Sequence, residues 1–394
     1  MTIPSLAIDP FDEQFLADPF AHHAALRDAG PVVRLERYGC YAMARYAEVQ
    51  PALKDFATYV SGRGVGLSDF AQEEPWRPPS LLLESDPPLH DRTRGLMNKI
   101  ASLASLRLAA PRWQEIAREV VGAALALRRI DAVESLGEAF PLAVFPELIG
   151  LRDDGRENLI PYGTSAFNAF GPRNRILEQA LADAEKYSGW IAEACKRENL
   201  KPGGWGMQVH EAADRGDCTP AEAERLVRSF LTAGVDTTVN GISALVHALA
   251  QNPEQYTLLR ADRSLTKRAV EETLRWAGIV QTFFRTTSRA VALPEGTIPE
   301  GSKVLLFLAS ANRDPRKWAD PDRFDVTRVA SGHVGFGFGI HQCLGQMVAR
   351  MEMEAILTAL LDQVATILPT GPAQGRINNT LNALRSVPVE LVPA

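Results

Sequence analysis

Near residue 340 the chain reads FGFGIHQCLG, Phe336 to Gly345: one thiol, Cys343, flanked by Gly337, Gly339 and Gly345 and preceded by His341. Apolar residues then recur with helical spacing at Leu344, Val348, Met351, Ala355 and Leu357. Cys343 is therefore expected at a helix N-terminus, where unpaired N–H groups and the positive dipole end favour a thiolate. The glycines let the backbone pass close to something flat and bulky. Most free cysteines are simply packed in a core, but a packed thiol needs no such loop. Three other chemistries are open to it. The glycines could cradle a phosphate, though no lysine follows and no βαβ unit surrounds them. His333, His341 and Cys343 could bind zinc, but a fourth ligand is missing nearby. Cys343 could be a nucleophile served by His341, but two residues apart in a loop fixes no geometry.

A second constellation is AGVDTT, Ala233 to Thr238. Asp236 and Thr237 interrupt a strongly apolar stretch. A buried carboxylate without a partner is costly, which argues for a role. An acid beside an alcohol can pass protons to a reacting oxygen. Thr237 could instead bond back to a carbonyl and bend the helix. Gly234 leaves room for a small ligand. Two further pairs carry charge at helical spacing. Glu272 and Arg275 are three apart, on the surface an ion pair of about 0.3 kcal/mol. His90 and Arg94 are four apart and share a face.

The elements that hold these residues are mostly helical. The clearest runs from Thr219 to Gln251. Thr219 can cap it, Pro220 fits its first turn, Glu222 completes a capping box, and Pro253 lies just beyond. As one helix it would span roughly 48 Å. Leu226 to Leu249 is apolar on nearly every face, so a buried central helix is expected. PVVRLERYGCYAMARY reads as a hairpin about Tyr38-Gly39. SRAVALPEGTIPEGSKVLLFLASANRD offers strands between two PEG turns, and SVPVELVP a last strand. The fold class expected is mainly α with small peripheral β-sheets, in one domain spanning 1–394, because no boundary shows itself. The 394 residues, 46% hydrophobic and 23% charged, suit a globular protein with a sizeable core. A net charge of −6 speaks against nucleic acid or a polybasic membrane surface as partner. No apolar run is long enough to span a membrane, no signal peptide is visible, and the four cysteines form no CxxC pair, so a cytoplasmic protein is expected.

The cysteine loop resembles the haem-binding signature of the cytochromes P450, haem-thiolate monooxygenases. That pattern is Phe, two residues, Gly, three residues, Cys, one residue, Gly, and Phe336, Gly339, Cys343 and Gly345 match it without a gap. AGVDTT resembles the oxygen-activating stretch of the family's central helix. EETLR holds its Glu-x-x-Arg pair as Glu272 and Arg275, ANRDPRKWADPDRFD resembles the segment leading to the cysteine, and HDRTR resembles its His-x-x-x-Arg. The resemblance implies the P450 fold, haem b as cofactor, and Cys343 as axial ligand of its iron. A thiolate ligand pushes electron density to iron and favours O–O cleavage. It also implies Asp236 and Thr237 as proton donors, and His90, Arg94, Arg285 and His341 as holders of the two propionates, whose charge Arg and His⁺ suit. Phe336, Gly337, Gly345 and Ala233 would complete the haem contacts. Glu272 and Arg275 would form a buried structural network with Arg323.

For substrate, Ser229 and Asp236 are two helical turns apart, roughly 10 Å on one face, with Arg228 beside Ser229. PWRPPSLLL adds Arg77, Ser80 and Leu83, TSAFNAFG adds Phe167 and Phe170, and VQTFFR adds Val280 and Phe283, with Ala233 at the oxygen end. Singly these are ordinary solvated arginines and core phenylalanines. Together, aromatic walls with a cationic end suit a small aromatic acid. They resemble the bacterial branch that oxidises para-substituted benzoates such as 4-methoxybenzoate, which would be hydroxylated or O-demethylated; GIVQTFFR and IHQC depart from it locally. The chain carries no flavin or nicotinamide fingerprint, so a 2Fe–2S ferredoxin and its NAD(P)H-dependent reductase are the expected partners of a monomer. A peroxide-driven peroxygenase and a non-enzymatic haem-thiolate sensor are the alternatives.

Overall fold

The apolar stretch expected as one central helix folds as two, Pro220–Ala233 and Asp236–Gln251. The first begins as expected: Thr219 Oγ1 accepts the Glu222 N–H at 3.2 Å, and the Glu222 carboxylate accepts the Thr219 N–H at 2.9 Å. The break comes at Gly234 and Val235 and has two local causes. The Thr237 hydroxyl donates to the Ala233 carbonyl at 2.9 Å, a side-chain bond that competes with the helical ladder. Gly234 lies so close to the Phe145 ring that a Cβ there would overlap it. The second helix is buried on nearly every face, with Ile242, Leu245, Val246 and Leu249 wholly enclosed. Each such side chain contributes roughly 1.5–3 kcal/mol, so the most apolar segment takes the centre.

The computed structural model describes residues 2–75 and 78–394. Arg77 lies outside the described residues. Helices Gln346–Gln363, Thr266–Ala277 and Leu159–Asn168 pack against the central helix, and Leu103–Leu127 packs on Gln346–Gln363. The hairpin about Gly39 forms, pairing Val33–Leu35 with Cys40–Met43. It joins a six-stranded sheet in the order Ser5–Leu6, Val33–Leu35, Cys40–Met43, Lys303–Phe307, Thr282–Thr287, Tyr59–Val60. Arg285 pairs with Val304 there, which fixes the height of its side chain. The last strand, Pro388–Pro393, lies between Val364–Pro369 and Arg129–Asp131. The chain is thus mainly α with small peripheral sheets.

The segment before the cysteine loop has little regular structure and is held by buried charge. Arg275 donates to both oxygens of Glu272, at 2.7 and 2.8 Å, and to the carbonyls of Asn312 and Pro321. Both side chains are 0% exposed. The expected third member, Arg323, supplies only its carbonyl, at 3.5 Å. Arg328 takes the place instead, donating to Glu272 at 3.0 Å. Five residues along an irregular segment is a shift that helical or strand spacing could not reveal.

Candidate active site

A cavity of about 630 Å³ runs between the central helix and the cysteine loop. Phe336, Gly337, Cys343 and Gly345 line one wall; Ala233, Thr237 and Gly241 line another. The loop presents Cys343 three residues before the Gln346–Gln363 helix, with its N–H donated to the Phe336 carbonyl at 2.9 Å. Gly337 and Gly339 take φ of +70° and +74°, where side chains are strained. At Gly339 packing also requires glycine, because a Cβ would come within 2.8 Å of the Leu53 carbonyl, whereas the space over Gly337 is open. Cys343 lies deep in the fold, and its partial exposure is to this cavity. Burial pushes its thiol up; the Gly345 N–H, Arg94 and Arg350 oppose that.

Around the same end stand cations and imidazoles with few partners. Arg285 is buried, donates among the described residues only to the Phe284 carbonyl at 2.7 Å, and is lowered to about 10 by burial, with Asp86 opposing. Arg94 lines the cavity and donates to Asn98 at 3.0 Å and to the Ile340 carbonyl at 3.4 Å. The His90 and His341 rings meet edge to face at 4.4 Å. Among the described residues neither nitrogen of His341 nor Nε2 of His90 has a hydrogen-bond partner, while His90 Nδ1 bonds to Asp91 Oδ1 at 3.2 Å. His341 lies 3.9 Å from Asp86, beyond hydrogen-bond distance, and burial lowers its pKa. His90 is buried behind His341, off the cavity wall. His341 makes no bond to Cys343, which removes the nucleophile–base pairing. His333 is bonded to Glu271 at 3.0 Å, which removes the zinc set.

The other end lies between the first half of the broken helix, the loop before Leu89 and the Leu159–Asn168 helix. Ser80, Leu83, Phe167, Phe170, Val280 and Phe283 line it as expected, as do Arg228 and Ser229. Phe170 stands edge-on to Phe167 at 5.8 Å and to Phe283 at 5.5 Å. Ser80 Oγ accepts the Leu82 and Leu83 N–H groups at 3.3 and 3.1 Å and keeps its own proton to donate, whereas Ser229 Oγ donates to the Arg225 carbonyl at 3.1 Å and would have to turn from it to meet an anion. Asp236 departs from the expectation of a shared face with Ser229. The helix break turns it off the cavity wall to Arg376 Nη2 at 2.6 Å, Thr164 Oγ1 at 3.0 Å and Asn240 Nδ2 at 3.3 Å. Two contributors were missed. Arg225 lines the cavity and donates to the Pro79 carbonyl at 2.6 Å; its place one turn before Arg228 was a usable signal. Arg376 comes from 140 residues away and had none.

The family model for cytochrome P450 matches residues 206–387. Cytochrome P450 CYP199A2 of Rhodopseudomonas palustris is 52% identical over 393 residues, 100% of this chain and 95% of that protein. The chain belongs to the cytochrome P450 family. Among solved structures, cytochrome P450 CYP109Q5 from Chondromyces apiculatus is 29% identical with a TM-score of 0.82, covering 98% of each chain. Cytochrome P450 CREJ in complex with (4-ethylphenyl) dihydrogen phosphate is 25% identical with a TM-score of 0.86, covering 97% of this chain and 98% of that one. The protein is thus a P450 monooxygenase, of a family that binds haem through a cysteine thiolate. This chain's own residues suit that group. Buried polar atoms without partners are rare, yet at one end of the cavity His341 has none among the described residues and Arg285 is sparsely bonded, with His90 behind His341. Arg285 and His341 can donate to carboxylates there, and the open face over Gly337 leaves room for a flat ring. No helix among the described residues is long and apolar enough to cross a membrane.

Proposed function

We propose that the protein oxidises a small para-substituted aromatic carboxylic acid, such as 4-methoxybenzoate, by RH + O₂ + 2e⁻ + 2H⁺ → ROH + H₂O. A methoxy substrate would lose formaldehyde after hydroxylation. The observation that carries the proposal is one cavity with Cys343, Arg94, Arg285 and His341 at one end and Ser80, Arg228, Ser229 and three phenylalanines at the other. Haem, when bound, supplies the activation of dioxygen and the transfer of one oxygen atom. Cys343 is proposed as its ligand, and Arg94, Arg285, His90 and His341 as the side chains that neutralise its propionates. The substrate's carboxylate would be taken by Arg228, Ser229 and Ser80, with Arg77 assigned from sequence alone. Phe167, Phe170 and Phe283 would clamp the ring and exclude water, aiming the para substituent at the reacting centre. Thr237 lines the cavity with its hydroxyl donated to the Ala233 carbonyl at 2.9 Å, and Asp236 beside it connects to Arg376, whose side chain is 27% exposed. This pair is proposed to deliver protons, the step that separates oxygen use from a peroxide-driven reaction. Electrons are proposed to come from a ferredoxin and its reductase, and the aqueous interior as the compartment. The ligand named in the CREJ structure, an aryl ring with a para alkyl group and an anionic end, has the same design.

The test is a spectral titration of the haem-loaded protein with 4-methoxybenzoic acid and its methyl ester, in wild type and Arg228→Met. The acid is expected to shift the haem spin state and the ester to bind about ten- to a hundredfold more weakly, since a charge-assisted bond contributes roughly 1.5–3 kcal/mol. Arg228→Met should narrow that gap. Equal affinity for acid and ester in wild type refutes the anion end while leaving the monooxygenase class untouched.

A further inference from the structure

Glu271 adjoins the buried Glu272 but takes no part in its network. One residue along a helix turns the side chain by about 100°, so the two carboxylates face different neighbours. Glu271 accepts two bonds from Arg350, one from Nε and one from Nη2 at 3.2 Å, and one from His333 Nε2 at 3.0 Å. His333 Nδ1 accepts the Gly335 N–H at 3.1 Å. A ring nitrogen that accepts carries no proton, so Nε2 carries it and donates to Glu271, which fixes the tautomer. Arg350 lays its guanidinium over the Phe336 ring, 4.6 Å from the centroid. Phe336 closes the turn by accepting the Cys343 N–H at 2.9 Å. One carboxylate therefore grips the turn from both sides, through the Gly335 backbone and through the Phe336 ring. The group is largely shielded, with side-chain exposures of 27% for Glu271, 19% for Arg350 and 2% for His333. Burial alone would raise Glu271, but its bonds to His333 and Arg350 outweigh that and hold it at about 2, so it stays charged.

We infer that Glu271 is a positioning residue for the cysteine ligand: through His333 and Arg350 it holds the Gly335–Cys343 turn, and it cancels the Arg350 charge beside the thiolate. It thereby sets both the integrity of thiolate ligation and the reduction potential. The inference rests on Cys343 being the haem ligand. Loss of an anion near a redox centre favours electron addition, and loss of a cation disfavours it.

The experiment uses the full, haem-loaded chain. Reduction potentials are measured by spectroelectrochemical titration, and the Soret band is recorded for the reduced carbon monoxide complex. Glu271→Gln, which keeps the shape and removes the charge, should move the potential positive and cost part of the red-shifted thiolate band. His333→Phe should cost part of that band with a smaller change in potential. Arg350→Met should move the potential negative, which keeps the idea testable if Glu271→Gln does not hold haem. A folded Glu271→Gln with wild-type potential and wild-type band overturns the inference, as does an Arg350→Met potential that is unchanged or more positive. Cys343→Ser is the separate control: survival of the red-shifted band in it would overturn the ligand assignment itself.

Discussion

On the proposed proton-delivery role of Asp236, replacing it by asparagine should separate catalysis from binding. The Asp236 side chain is 0% exposed and accepts from Arg376 at 2.6 Å and Thr164 at 3.0 Å. Asparagine keeps the size and can still accept from Thr164, but it removes the charge that Arg376 meets. A hydrogen bond to a charged group contributes about 1.5–3 kcal/mol. Arg376 is 27% exposed, so water can replace part of the lost bond, which puts the cost at roughly 1–2 kcal/mol. Against a total of about 5–15 kcal/mol the variant folds. The kinetic cost is larger. Losing a positioned proton donor removes about 10²–10⁴ in rate, or roughly 2.7–5.5 kcal/mol of barrier. Because Asp236 does not line the cavity, the spin-state dissociation constant of the substrate should stay within about threefold of wild type, a shift under ~0.7 kcal/mol. The assay combines a substrate titration, turnover under saturating electron supply, and product formed per NAD(P)H consumed. Thr237→Ala is the companion: its binding should hold, while electrons divert to hydrogen peroxide. A turnover number for Asp236→Asn within threefold of wild type, or a loss of affinity as large as the loss of rate, would refute the reasoning.

Two other changes test how the scaffold is held. Glu272→Gln leaves Arg275, 0% exposed, without its counter-charge, and should lower stability by about 3–5 kcal/mol in chemical denaturation; the same change at surface Glu390, whose partner Arg129 is 78% exposed, should cost under about 1 kcal/mol, and equal effects would refute the distinction. His23 is buried with no partner on either nitrogen among the described residues, and burial, helped by Arg27, Arg313 and His22, lowers it to about 3. The unfolded chain takes up that proton near its ordinary value of 6.5 and the folded chain does not until about 3, so the stability is full above 6.5 and is lost as pH falls toward 3. His23→Leu should flatten that part of the stability profile, and a slope identical to wild type in urea titrations across it would show that His23 is not the cause.

Much of the site was legible because its chemistry is local. The turn around Cys343 needs glycines at positive φ, and the Thr219 cap and the Leu226–Leu249 apolar pattern are properties of adjacent residues. The aromatic and polar residues of the substrate end were each ordinary alone, and three-dimensional convergence brought Ser80, Phe167, Ser229 and Phe283 onto one wall. What misled was the assumption that a continuous apolar pattern makes a continuous helix. A single hydroxyl, that of Thr237, competes for the Ala233 carbonyl, and the Phe145 ring occupies the space beside Gly234; hydrophobic periodicity registers neither.

The residue order alone determined the mainly helical class, the hairpin about Gly39, the thiol just ahead of a helix, the acid–alcohol pair and the family to which they belong. These follow from covalent neighbours, and helix, turn and cap energies act over a few residues. The tertiary structure alone decided which charge meets which. Asp236 faces Arg376 and not Ser229, Glu272 binds Arg328 and not Arg323, and Glu271 joins His333 to Arg350 beneath the cysteine loop. A buried ion must find a partner within about 4 Å, since desolvating it unpaired costs several kcal/mol. Which partner lies that close depends on how distant segments pack, and sequence separation carries no record of it.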